Sequence, residues 1–460
     1  MSCIDGREAV KNTSQIAIIA AVALTCIAAC AWSATADDTA RIGLTYFGSP
    51  RHVVLLSTGG LNAIKTDSGA ALTCNPVPSI SVNATKNCLS VTFDTGPVDA
   101  GTSVTITPAD PAGVITIETS GHAARKYRGS VEIDLAGESV RLINVVNIED
   151  YLAGVVPSEM PESYPVEALK AQAIAARTYL LANKKKHASE GFDICDSDHC
   201  QSYGGVLAEK TITNSVVADT RGEVLIYDGR PASVMYSTDC GGVTRNYADT
   251  QPDCRAPYLT CVVEPDDIKH MTWEKSYSLS DLEKKLVTAG VKEAAGLKSI
   301  TVAETDTSGR AVDLTVTGGT TTKTVPVSKL RAALGADVIK STLFTIEQSD
   351  EGIVTIKGRG WGHGVGLCQV GARGLALPPH NLTCDQILAH YFPGTQISGE
   401  PKLAPTVPGA DVAMVPMPAP KQIIVEPVKN ARPPAVEPAK PVKKSEKEPF
   451  DVRLRDPWSP

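Results

Sequence analysis

The sequence predicts an α+β protein in which β-rich layers pack around a central alanine-rich helix and a proline-rich, unstructured tail closes the chain. Three observations predict it. Short β-branched runs separated by Gly, Pro, Asn and Asp recur from Arg41 to about Asn147. A single long stretch, 165–186, carries an apolar stripe at helical spacing and is crowded with alanine. Finally, 14 of the 31 prolines lie in the last sixty residues, a composition that suits a semi-extended linker. The 460 residues are 42% hydrophobic, enough for a substantial core, and carry a net charge of −7 without a dominant basic patch. Binding to nucleic acid through phosphate neutralisation is therefore excluded as a leading reading.

The elements follow in order. One long apolar run, Ile16 to Trp32, lies between Arg7 and Lys11 on one side and Asp37 and Asp38 on the other. Basic start, apolar middle and the small residues Ala34-Thr35-Ala36 read as an export signal over residues 1–36. Ile27-Ala28-Ala29-Cys30 also resembles a lipoprotein-processing box, and the run is nearly long enough for a retained anchor. Export is the expectation, with the membrane touched only through this segment. Nine of the twelve cysteines lie beyond it, and an exported chain invites disulfides. Cys74 with Cys88 and Cys254 with Cys261 are the expected pairs, because short loops close cheaply.

Runs such as Val53-Val54-Leu55-Leu56 and Val114-Ile115-Thr116-Ile117 make 41–147 a β-rich region. A core region of 148–270 contains the helix. Pro165 suits its first position, and Leu169, Ala173, Ala176 and Leu180 form its buried stripe. Strands are expected near 222–227 and 233–237. A mixed α/β insertion at about 271–345 has a helix near 279–289, strands at 299–304 and 311–317, and a short helix near 327–334. Residues 346–400 hold a glycine-rich motif and a last helix opened by a Thr383/Gln386 capping box. The tail is 401–460.

Chemistry concentrates in four places. Pro157 and Pro161 flank Glu159, which predicts a stiff extended turn over Ser158–Met160 holding one carboxylate between Val156 and Met160. Apolar surroundings raise a carboxyl pKa, as a general acid requires, while a nearby helix N-terminus opposes the rise. A plain surface turn is the alternative. Arg177, in the same helix, is either solvated or a partner for a sugar or for Glu159. Glycine alternates with other residues through Gly358-Arg359-Gly360-Trp361-Gly362-His363-Gly364-Val365-Gly366. As a strand it would present Arg359, Trp361 and His363 on one face and bare backbone on the other. His187, Cys195, His199 and Cys200 place four zinc-type ligands within fourteen residues. A Cys195–Cys200 disulfide and free cysteines are the competing readings.

These segments together resemble the stage II sporulation protein D family, the SpoIID/LytB domain, from about Arg41 to Ile397. The resemblance rests on Tyr127-Arg128-Gly129-Ser130, on Glu149-Asp150-Tyr151-Leu152 leading into Val155 to Pro161, and on Ala168 to Ala173 with Ala176-Arg177-Thr178-Tyr179. It continues through Ser237-Thr238 before Gly241-Gly242 and the glycine-rich run followed by Gln369-Val370-Gly371-Ala372.

The resemblance implies a lytic transglycosylase that cuts peptidoglycan glycan strands already stripped of peptides by an amidase. It implies Glu159 as the catalytic residue and Arg177, Ser237, Trp361, His363 and Gln369 as glycan-binding residues. It also implies a structural zinc on His187, Cys195, His199 and Cys200, and no cofactor for catalysis. Cys368 stands where the family usually has serine, Val370 where it often has tryptophan, and Cys240 interrupts the Ser-Thr-Gly-Gly region. These departures point to an extra disulfide between motifs. Two other classes stay open: a non-catalytic glycan-binding enhancer of a wall amidase, and a zinc hydrolase, which four protein ligands disfavour.

Overall fold

The computed structural model describes residues 38–66, 69–73, 75–251 and 256–399. The expected export segment 1–36, the tail 401–460, and Cys74 and Cys254 with their expected disulfides lie outside the described residues. Among the described residues no helix is long and apolar enough to cross a membrane.

Strands fill residues 39–147 and join one eleven-stranded sheet. Its longest member, His52–Lys65, pairs antiparallel with Val77–Ala84 and also with Ser103–Pro108 and Ile115–Glu118. Val53, Leu55, Leu61 and Ala63 face the core on alternate positions, the period-two pattern of a half-buried strand. At one edge Thr39–Gly43 pairs antiparallel with Ser139–Asn147 and parallel with Ile194–Cys195. That edge matters for the site, because it brings Cys195 onto the sheet.

Among the described residues seven α-helices follow: α1 (Ile148–Glu159), α2 (Val166–Ala182), α3 (Thr211–Asp219), α4 (Leu279–Thr288), α5 (Val327–Leu334), α6 (Gln369–Ala376) and α7 (Cys384–Tyr391). The fold is mixed α+β. Helix α2 is the central helix, packed against α1, α3, α6 and α7. Ala168, Ala171, Ala173, Ala175 and Ala176 are all buried on it, and their small side chains let four neighbouring backbones approach. It is shorter than expected. Pro165 is its N-cap, lying just outside the first turn, and Lys184–Lys186 fall beyond its end.

Helix α1 was not expected. It grows directly out of the strand Ser139–Asn147, where the Asn147 side chain accepts the Glu149 N–H and Glu149 and Asp150 sit in the positive first turn. Pro157 lies inside it, and Glu159 is its last residue and not part of an extended turn. Ser158 Oγ donates to the Gly154 carbonyl at 2.7 Å, satisfying backbone near the proline. The chain becomes extended only at Met160, with φ −127° and ψ 137°, as expected for the residue before Pro161.

A second set of buried side chains, from Trp273 to Ile356, forms its own core. There Thr272–Ser278, Ile353–Arg359 and Phe344–Gln348 make one antiparallel sheet, and Leu297–Thr305, Ala311–Gly318 and Thr321–Pro326 another. Helices α4 and α5 cover it. The Thr383/Gln386 capping box is present at the start of α7.

Candidate functional site

Glu159 sits where α1 ends. The Ser202 backbone N–H donates to its Oε1 at 2.7 Å. Burial drives the carboxyl pKa up to about 7, against hydrogen bonds from Ser202 and the Gln369 side chain that hold it down. A carboxyl poised there can give and reclaim a proton near neutral pH.

The surroundings of Glu159 are built from three segments. Gln369, the first residue of α6, is buried, and its Nε2 also reaches Gln172 Oε1 at 3.4 Å. Gln201 Nε2 donates to the Tyr236 hydroxyl at 2.8 Å and to the Ala176 carbonyl at 3.2 Å, while its Oε1 accepts from the Tyr151 hydroxyl at 3.2 Å. Tyr236 thus ties helix α2 and the 201–202 segment to the short strand Tyr236–Ser237. That strand pairs in parallel with Leu367–Cys368, immediately before Gln369.

The glycine-rich run meets the same strand. It is not the alternating strand expected: Gly360, Gly362, Gly364 and Gly366 all take positive φ, so the chain turns repeatedly after Arg359. His363 accepts the Val365 N–H on Nδ1 at 3.0 Å, which leaves the proton on Nε2, donated to the Tyr236 carbonyl at 3.0 Å. Ser237 Oγ accepts the Gly364 N–H at 3.2 Å. Trp361 is half-buried, exchanges two backbone hydrogen bonds with Asp239, and lies under Lys340 Nζ at 3.9 Å from its ring centre. Tyr236 therefore connects the surroundings of Glu159 to the ribbon of Trp361 and His363. A cavity lined by Thr272, Glu274, Phe344, Lys357 and Arg359 belongs to the insertion, and none of the Glu159 partners lines it.

Arg177 is elsewhere in purpose. Its guanidinium is buried, binds both Glu149 carboxylate oxygens at 2.9 and 2.7 Å, and donates to the carbonyls of Glu223 at 3.0 Å and Val217 at 3.4 Å. These donors go to α1, to α3 and to the segment after it, so the structure makes Arg177 an internal clamp, and Glu159 is not among its hydrogen-bond partners.

His187, Cys195, His199 and Cys200 do come together, with donor atoms all within 4.8 Å of one another. Cys200 Sγ lies 3.4 Å from His187 Nε2 and 3.5 Å from His199 Nδ1, and Cys195 Sγ lies 3.6 Å from His199 Nδ1. Tetrahedral zinc with its usual bond lengths separates sulfur and nitrogen ligands by about 3.5 Å, so the donor set fits the ion. His187 Nδ1 meets Glu190 Oε1 at 2.6 Å, a contact of the kind that orients imidazoles in metal sites. Neither cysteine is in a disulfide, and neither are Cys240 and Cys368, whose departures from the family pattern had pointed to one.

Ser202, Gln201, Gln172 and Tyr236 were not foreseen as site residues. Only one signal existed for any of them, a glutamine among the buried alanines of α2.

Against known proteins, the model of the stage II sporulation protein family matches residues 136–227, which spans α1, α2 and the Cys/His cluster. A second model, a domain of unknown function, matches 262–366. The chain is 31% identical over 318 residues to stage II sporulation protein D of Bacillus subtilis, covering 65% of this chain and 88% of that protein. The chain belongs to the stage II sporulation protein D family. It is also 33% identical over 274 residues to an uncharacterized protein of Brachyspira hyodysenteriae, covering 59% of this chain and 72% of that one. An amidase enhancer of Bacillus subtilis is 31% identical over 294 residues, covering 54% of this chain and 40% of the enhancer.

Proposed function

We propose that this family member works on the bacterial cell wall as an exported lytic transglycosylase, cutting MurNAc-GlcNAc bonds of peptide-free glycan strands. The observation that carries the reading is the Glu159 carboxyl, held by the Ser202 N–H and lifted by burial to a pKa of about 7. Protonated Glu159 gives its proton to the leaving-group oxygen as the glycosidic bond breaks and positive charge grows at C1. The resulting carboxylate takes the proton of the C6 hydroxyl of the same muramic residue, whose oxygen bonds to C1. The product is a 1,6-anhydro end, no water is consumed, and Glu159 is protonated again. One carboxyl serves both steps.

In this reading Gln369, Gln201 and Tyr236 orient the acid, and Trp361, His363 and Ser237 form a glycan-facing ribbon. A zinc ion on His187, Cys195, His199 and Cys200 would supply a structural brace, since four protein ligands leave no position for substrate or water. Residues 201–202 follow that cluster directly, so the brace would fix the Ser202 N–H. An upstream wall amidase would supply the peptide-free strands, and export fits a wall substrate.

The test is mass analysis of peptide-free glycan incubated with the chain and with Glu159→Gln. Anhydro ends with the parent protein and none with the folded variant support the reading; equal products from both end it. The resemblance to an amidase enhancer favours one alternative, a glycan-binding subunit that stimulates an amidase. Stimulation of a wall amidase with no glycan cleavage would decide for it.

A further inference from the structure

We propose that Asp239, Cys240, His270 and Cys368 form a second site for a divalent metal of the zinc class, separate from the His187–Cys200 cluster. Their donor atoms all lie within 4.8 Å of one another. They converge from three segments: the turn after the strand Tyr236–Ser237, the loop before Thr272–Ser278, and the end of the strand Leu367–Cys368. Asp239, Cys240 and Cys368 are at most 1% exposed, and the His270 side chain is 9% exposed. The imidazole therefore offers the route by which an ion could enter.

The outer contacts are those of a ligand set. Cys368 Sγ accepts the backbone N–H groups of Cys240 at 3.1 Å and Gly371 at 3.2 Å, which fix its position. The Asp239 carboxylate accepts the N–H groups of Gly241 at 2.8 Å and Met271 at 2.6 Å, which fix its direction; its hydrogen bond with His270 Nδ1 at 2.6 Å would open for both to hold the ion.

An independent observation points the same way. Glu264 has a fully buried side chain, and its Oε1 accepts from the Tyr391 hydroxyl at 2.6 Å and from Cys240 Sγ at 3.2 Å. Its Oε2 approaches His270 Nε2 at 3.1 Å without hydrogen-bond geometry, and among the described residues neither atom has a hydrogen-bond partner. The two atoms form an ion pair when the imidazole is charged, as Asp239 also does with His270. Buried carboxylates need a positive charge beside them, and a divalent cation would supply it in place of the imidazolium.

Two thiolates, one imidazole and one carboxylate suit tetrahedral zinc, and binding releases the two thiol protons. A Cys240–Cys368 disulfide would use the sulfurs alone and leave Asp239 and Glu264 to their ion pairs with His270. Because Asp239 exchanges two backbone hydrogen bonds with Trp361, the ion would brace the glycine-rich ribbon from beneath.

The full chain and its Cys240→Ser/Cys368→Ser double variant, loaded with zinc chloride under reducing conditions and desalted, should differ by one zinc per chain. A His187→Ala/Cys200→Ser variant loaded with cobalt chloride should keep a thiolate-to-cobalt charge-transfer band. That measurement stands even if the first double variant fails to fold. Equal zinc contents in folded proteins, or no such band, would overturn the proposal. So would recovery of a Cys240–Cys368 disulfide from chain refolded in air with zinc chloride in excess.

Discussion

The Ser202 backbone N–H and the Glu159 carboxylate meet at 2.7 Å, joining the loop that follows Cys200 to the last residue of α1. That bond favours the charged carboxylate, while burial favours the neutral acid, and burial wins with a pKa of about 7. An enzyme that needs the acid protonated should lose turnover as pH rises above about 7, by about tenfold per pH unit. Gln369→Leu removes a hydrogen bond that lowers this pKa, so the falling limb should move about one pH unit higher. Initial rates on peptide-free glycan across pH, for both proteins, check it. An unmoved limb in the variant would separate Gln369 from the acid.

The same group makes stability depend on pH. The carboxyl pKa is raised from 4.5 to about 7 on folding, so the native state holds the proton more tightly. The stability it contributes is fully present below about pH 4.5 and is lost as pH climbs through about 7. Glu159→Gln has no such loss. Relative to the parent, the glutamine variant should gain stability between acid and mildly alkaline pH by at most about 3 kcal/mol. Partial exposure of the Glu159 side chain keeps the gain under that bound. Urea midpoints at both ends of the range measure it, and parallel pH curves would refute it.

Arg177 gives a stability prediction where a binding role had been expected. Its side chain is 2% exposed and holds Glu149 with two hydrogen bonds. Arg177→Ala strands that carboxylate and two backbone carbonyls, and should cost about 3–5 kcal/mol. Arg177→Lys keeps the charge but lacks the fork needed to grip Glu149 and reach the Glu223 carbonyl together, so an intermediate loss is expected. Folded Arg177→Lys should retain the parent KM for glycan. A raised KM at unchanged denaturation midpoint would return the residue to the substrate.

What the chain disclosed in advance follows from the range of the forces involved. Alternation in Val53 to Ala63, the alanine stripe of α2 and the Thr383/Gln386 cap are local patterns, and each formed the element expected. Helix α1 also had local signals, an Asn147 cap and the acidic pair Glu149 and Asp150, but two prolines around Glu159 argued for extension. Helical hydrogen bonding and the Ser158 back-bond outweighed Pro157 inside the helix. The Cys/His cluster was legible because its ligands are close in sequence. The partners of Glu159 were not, since Ser202 and Gln369 reach it from 43 and 210 positions away, across strand pairings that no local pattern encodes. The burial of Arg177 was hidden for a related reason: exposure is the usual state of arginine, and only the docking of α1 beside α2 makes it internal.

Two residues of main chain join the Cys/His cluster to the acid. Cys200 is followed by Gln201, which binds Tyr236 and the Ala176 carbonyl, and by Ser202, which binds Glu159. Cys200→Ser should remove one zinc per chain, because two imidazoles and one thiolate hold the ion far less well. If the cluster fixes the Ser202 N–H, the variant should lose kcat more than it gains KM. Its alkaline limb should also move upward, since the bond that favours the charged Glu159 carboxylate has weakened. A purely structural cluster predicts a lower melting temperature with kcat and the limb of the folded fraction unchanged. Zinc content, melting temperature and the pH–rate curve, measured together on one preparation, separate the two outcomes. A shifted limb in Cys200→Ser would show that the cluster acts on the acid through the main chain of residues 200–202.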